Sequence, residues 1–70
     1  MMSRLVDRFR HMAIHSTLVV HPGLTVNEIA KQLDLRWDQV NSALPSMERT
    51  GLLLYEDDNG QLYPFGRGRQ

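Results

Sequence analysis

Cysteine is absent from the 70 residues, which excludes disulfides and thiolate metal centres. An excess of one charge is also lacking: 8 Lys and Arg balance 8 Asp and Glu, so no global basic field draws the chain non-specifically to nucleic acid. No apolar run reaches membrane-spanning length and no signal-peptide pattern is present, giving the expectation of a cytoplasmic chain without membrane contact. There is no Gly-rich phosphate loop. Ser16 and the three histidines make no nucleophile arrangement, and so short a chain leaves little room for a deep pocket, so neither enzyme activity nor a cofactor is expected. A single thin-cored domain is the size-based expectation, and such domains often gain stability from a second copy.

What is present is organised around Thr25 to Gly51. Thr25-Val26-Asn27-Glu28 is a capping box: the Thr hydroxyl accepts from the amide three residues on, and Glu28 reaches back to the Thr25 amide. Ile29, Ala30 and Leu33 then share one helical face. Leu33-Asp34-Leu35-Arg36 reads as a turn, with Leu35 placed to plug the space between two crossing helices. From Trp37 the pattern resumes with Val40, Ala43, Leu44 and Met47, and Gly51 supplies a left-handed stop. Two helices and a short turn match a helix-turn-helix, whose second helix enters the major groove of DNA. Leu52-Leu53-Leu54-Tyr55 and Gln61-Leu62-Tyr63 read as strands around Asp58-Asn59-Gly60, where Asn-Gly favours a type I′ hairpin turn.

The stretch His21 to Ala30, then Val40 to Met47, then Glu48-Arg49-Thr50-Gly51-Leu52-Leu53 and the hairpin resembles the winged helix-turn-helix domains of small prokaryotic regulators of the MarR and ArsR types. The resemblance covers residues 12 to 65. It implies an α+β, mainly helical fold of three helices followed by a two-stranded β-hairpin wing, in one domain over residues 1–65 with a flexible basic tail over 66–70. It also implies a sequence-specific DNA-binding transcriptional regulator acting as a small homodimer on double-stranded DNA. The alternative is a winged-helix protein-interaction module that has lost the nucleic-acid surface.

Ahead of this block a helix is expected from Ser3, as N-cap, to Val20, stopped by His21-Pro22-Gly23. At about 100° per residue, Leu5, Phe9, Met12, Val19 and Val20 share a face with Ser16, while Ile14 and Leu18 lie almost opposite. Two apolar faces need two partners, and the resemblance implies that the stretch before His-Pro-Gly packs on the helix-turn-helix, which assigns Ile14 and Leu18 to the core. Leu5, Phe9 and Met12 are assigned to a dimer interface, unless the helix bends or wraps its own core on both sides. Asp7, His11 and His15 recur every four residues at ligand-compatible spacing, but without cysteine support the row reads as a polar stripe and no metal site is assigned.

In the reading helix, Arg36, Gln39 and Asn41 carry the donors and acceptors that recognise base edges, and Ser42 suits a phosphate. Asp38 is assigned to the helix dipole. Trp37 joins the DNA-binding set, although packing under the hairpin or the first helix is the favoured reading of its ring. Pro45 removes the bond to the Asn41 carbonyl and predicts a kinked or shortened helix. Glu56-Asp57-Asp58 makes an acidic hairpin that either is a solvated turn or faces a basic protein partner. Phosphate contacts are therefore expected from the termini: Arg4, Arg8 and Arg10 at one end, Arg67 and Arg69 at the other. Phe65 is expected to tuck onto the core. Arg67-Gly68-Arg69 resembles the centre of minor-groove arms, though it also reads as an ordinary flexible terminus.

Overall fold

The computed structural model describes the backbone of residues 2–64 and side chains from residue 6 onward. The expectations for the Leu5 side chain, Phe65, Arg67, Arg69 and the 66–70 tail lie outside the described residues. The fold is α+β and mainly helical, in the order α1 (Met2–Val20), β1 (Leu24–Thr25), α2 (Val26–Leu33), α3 (Trp37–Arg49), β2 (Leu54–Glu56), β3 (Gln61–Pro64). Ser3 lies inside α1 and so is not its N-cap.

Among the described residues eight side chains form the core: Ile14 and Leu18 from α1, Ile29 and Ala30 from α2, Val40, Ala43 and Met47 from α3, and Leu62 from β3. Leu24, Val26, Leu33, Leu35, Leu44, Leu52 and Leu54 pack around them, half-buried. The helical contributors are those that the three- and four-residue spacing selects, so one face of each helix meets at a common centre.

Three antiparallel strands in the order β1-β3-β2 replace the expected two-stranded hairpin. The added strand is only Leu24–Thr25, which pairs with Leu62 and Gln61. Two residues are too few to show an alternating pattern, so the strand exists through its partner.

The hairpin turn also differs from expectation. Type I′ needs positive φ at both central residues, yet Asp34 is the one non-glycine residue with positive φ among the described residues. Gly60 N–H donates to the Asp57 carbonyl at 3.1 Å, Asp57 N–H donates to Gln61 at 3.0 Å, and Gly60 has φ 81°. This is a three-residue loop with a left-handed glycine closing it. The Asp57 carboxylate accepts from the amides of Asn59 and Gln61, each at 2.9 Å, and from the Tyr63 hydroxyl at 3.2 Å. One of the three acidic hairpin residues is therefore committed to building the turn.

The strand β2 begins at Leu54, not Leu52. Gly51, with φ 93°, donates to the Glu48 carbonyl and Leu52 N–H donates to Met47 at 2.9 Å, the paired bonds of a Schellman motif. Leu52 thus closes α3 instead of opening β2. The helix itself runs through Pro45 to Arg49, so of the kinked or shortened helix expected from proline the shortened form does not occur.

Candidate nucleic-acid interface

The turn between α2 and α3 sets what α3 shows to solvent. Asp34 takes a left-handed conformation (φ 57°, ψ 45°), its N–H donates to Lys31, and Leu35 N–H donates to Ala30 at 2.8 Å. That is the same paired pattern as at Gly51, and it turns Leu35 inward against the core as expected. The chain leaves the turn at Arg36 in extended backbone (φ −81°, ψ 154°) and enters α3 at Trp37.

With Val40, Ala43 and Met47 fully engaged in the core, the outer side of α3 holds Trp37, Asp38, Asn41 and Ser42, all exposed. Trp37 is 52% exposed and does not belong to the core cluster, so the expectation that its ring packs under the hairpin or α1 is wrong. Its position explains this. As the first residue of α3 it lies at the end of the helix, where Leu35 already packs against the core.

Several of the expected base readers are engaged within the chain. The Arg36 guanidinium pairs with Asp38, Nε to Oδ1 at 3.1 Å and Nη2 to Oδ2 at 3.5 Å. This bond, together with the nearby positive charge, holds the Asp38 carboxyl below its usual range. Gln39 Oε1 accepts from the Arg36 amide at 2.9 Å, so half of a capping box is present. The other half cannot form, because a guanidinium has no acceptor for the third amide of the helix. Ser42 donates its hydroxyl to the Asp38 carbonyl at 2.7 Å, which uses the hydrogen it would offer a phosphate. Asn41 and Trp37 make no side-chain hydrogen bond among the described residues. Gln39 keeps both amide hydrogens.

The Arg36–Asp38 pair is exposed on both sides, at 73% and 65% of the side-chain surface. Exposed pairs of this kind contribute little to stability, so a stronger acceptor can take the guanidinium. Arg36, Trp37 and Asn41 are thus exposed at the start of α3, while Gln39 is half-buried on the side toward α1.

On α1, Phe9 and Met12 of the expected dimer face are 67% and 54% exposed, alongside Val6, Val19 and Val20. Ile14 and Leu18 are fully buried, as expected. The hairpin presents Tyr55 and Tyr63 on one face with ring centroids 6.0 Å apart. Partial burial, with the bond to Asp57, pushes the Tyr63 hydroxyl above its ordinary titration range. Among the described residues no three His, Asp or Glu side chains gather to hold a metal, the row Asp7, His11 and His15 included. Nor is any described helix long and apolar enough to cross a membrane. The chain matches no protein-family model, no curated protein and no solved structure.

Proposed function

We propose that the chain is a winged helix-turn-helix domain that reads double-stranded DNA and acts, as a cytoplasmic homodimer, in regulating transcription, with no catalytic role. One observation supports the reading: after the left-handed turn at Asp34, α3 buries Val40, Ala43 and Met47 and leaves Arg36, Trp37 and Asn41 exposed at its start. A helix held this way after a short turn is the form that enters the major groove. On this reading Arg36 exchanges Asp38 for guanine, while Asn41 recognises adenine. Ser42 supports the helix instead of binding phosphate. Arg67 and Arg69 supply phosphate contacts from the tail. Leu5, Phe9 and Met12 make the face that meets a second copy, a reading supported by the exposure of Phe9 and Met12.

A second reading, a protein-interaction module, is favoured by the pairing of Arg36 with Asp38, which leaves the outer face of α3 without net positive charge. Fluorescence anisotropy with a selected pool of duplexes, across a salt series, separates the two. A DNA reader binds a subset of sequences tightly, weakens steeply with salt, and loses about 1–3 kcal/mol for each of Arg36→Ala and Asn41→Ala. Absence of binding to the whole pool at low salt rejects the DNA reading in favour of the second. Equilibrium sedimentation tests the dimer: Phe9→Glu is expected to yield a monomer, and a wild-type chain already monomeric at tens of micromolar overturns it.

A further inference from the structure

The face of α1 that buries Ile14 and Leu18 changes character toward its N-terminal half. One and two turns back along the same stripe stand His11, Arg10 and Asp7, where a helix packed on a partner would carry further apolar residues. Across from them α3 offers no large apolar residue either. Gln39, Ser42 and Ser46 line its side of the gap, with Ala43 at the base, and the two helices enclose an open notch of about 180 Å³. A helix pair that is tightly packed at one end and polar on both walls at the other has given up core there.

The groups in the notch favour a particular kind of ligand. Arg10 brings a guanidinium whose side chain is only 23% exposed, His11 is half-buried beside it, and Gln39 retains both amide hydrogens. Ser46 accepts from Arg49 Nη2 at 3.1 Å, leaving its own hydroxyl hydrogen for another acceptor. Donors thus come from both helices. The single negative group is Asp7, whose carboxylate stands 3.9 Å from Arg10, beyond hydrogen-bond distance, and is 58% exposed, so it can swing into water. Donors converging on an arginine match an oxyanion.

We propose that this notch is a phosphate-binding site with Arg10 as its anchor. The proposal rests on the DNA reading above for the source of the phosphate: with α3 in the groove, a backbone phosphodiester enters between α1 and α3. Arg10, His11, Gln39 and Ser46 hold that phosphate and fix the angle at which α3 lies. The chemistry of the site is equally that of a free phosphate ion, and the test has an arm for each source.

The uniformly ¹⁵N-labelled full chain is titrated with inorganic phosphate at constant ionic strength, and amide and side-chain resonances are followed. Saturable shifts are expected at residues 7–11 and 39–46, lost in Arg10→Gln and strengthened in Asp7→Asn, which removes the competing carboxylate. Shifts that do not saturate, or that are the same in Arg10→Gln, overturn the site. Because Asp7→Asn is expected to tighten binding, a general loss of folding cannot mimic the result. The duplex arm then reads the source. If the wild type binds DNA, Arg10→Gln is expected to make the slope of log affinity against log salt shallower by about 0.9, one phosphate contact. An unchanged slope beside saturable phosphate binding rejects the phosphodiester and leaves the free anion. Failure of the wild type to bind any duplex, with phosphate binding intact, rejects the reading of α3 and not the site.

Discussion

The two helices α2 and α3 stop in the same way and start in different ways. Each ends with a left-handed residue and an apolar one, Asp34 with Leu35 and Gly51 with Leu52, and in each the apolar residue turns back onto the core. Only at Gly51 does the residue type advertise the geometry, since glycine takes positive φ without strain while an L-aspartate bears it through its short polar side chain. At their starts, Thr25 and Glu28 exchange both bonds of a capping box, at 3.3 and 2.9 Å, whereas Arg36 and Gln39 make only the return bond. The helix α2 is therefore well marked where it begins and poorly where it ends, and α3 is the reverse. Both poorly marked ends meet in the three residues Asp34-Leu35-Arg36. Local rules are relaxed where the surface proposed to read DNA begins, a pattern expected of functional sites.

This contrast can be broken from either side. Gly51→Ala forces a Cβ into the left-handed region and is expected to destabilise the chain by about 1–2 kcal/mol in urea unfolding. Thr25→Ala removes the hydroxyl half of the first box and is expected to lose about 1 kcal/mol, with Thr25→Ser retaining most of it. Arg36→Thr completes the second box. It is expected to stabilise by about 0.5–1 kcal/mol while reducing affinity for DNA, so that stability and binding move in opposite directions. A variant that gained stability and kept full DNA affinity would remove Arg36 from the proposed surface.

The smallest effect concerns protonation. Asp38 titrates below its ordinary value because Arg36 donates to it, so its contribution to stability is present above the unfolded value of 3.8 and fades as pH falls through the lowered one. In a carboxyl-carbon NMR titration, Arg36→Ala is expected to return Asp38 toward 3.8; an unmoved titration would show that the pair does not persist in solution.

Features fixed by near neighbours were legible in the sequence. The Thr25–Glu28 box, the Gly51 stop and the inward turn of Leu35 follow from spacing or from a single residue's conformational freedom, whereas spacing left α1 with two apolar faces and the family resemblance pointed to Ile14 and Leu18 as the buried one. The strand β1 was not, because Leu24-Thr25 becomes a strand only by pairing with Leu62 and Gln61, far along the chain. Leu52 was misread as strand because an apolar run carries no mark of where a helix stop ends. At the candidate site, the exposure of Arg36, Asn41 and Ser42 was visible from periodicity. Their hydrogen bonds were not: the Arg36–Asp38 pair and the Ser42 bond to a carbonyl depend on the angle at which the turn delivers the chain. The notch between α1 and α3 could have been suspected from Asp7, Arg10 and His11 continuing a stripe that is apolar at Ile14 and Leu18.

Thr25 belongs to two elements at once, pairing with Gln61 in β1 and capping α2 through Glu28. A tilt of the hairpin is thereby delivered, like the throw of a lever, to the first turn of α2. Pulling β3 away from β1 strips the cap's support at the same stroke, so hydrogen exchange at Leu62 and at Glu28 is expected to proceed by one shared opening. Load on the hairpin is thereby shared between the Leu62 side chain in the core and the cap at Thr25.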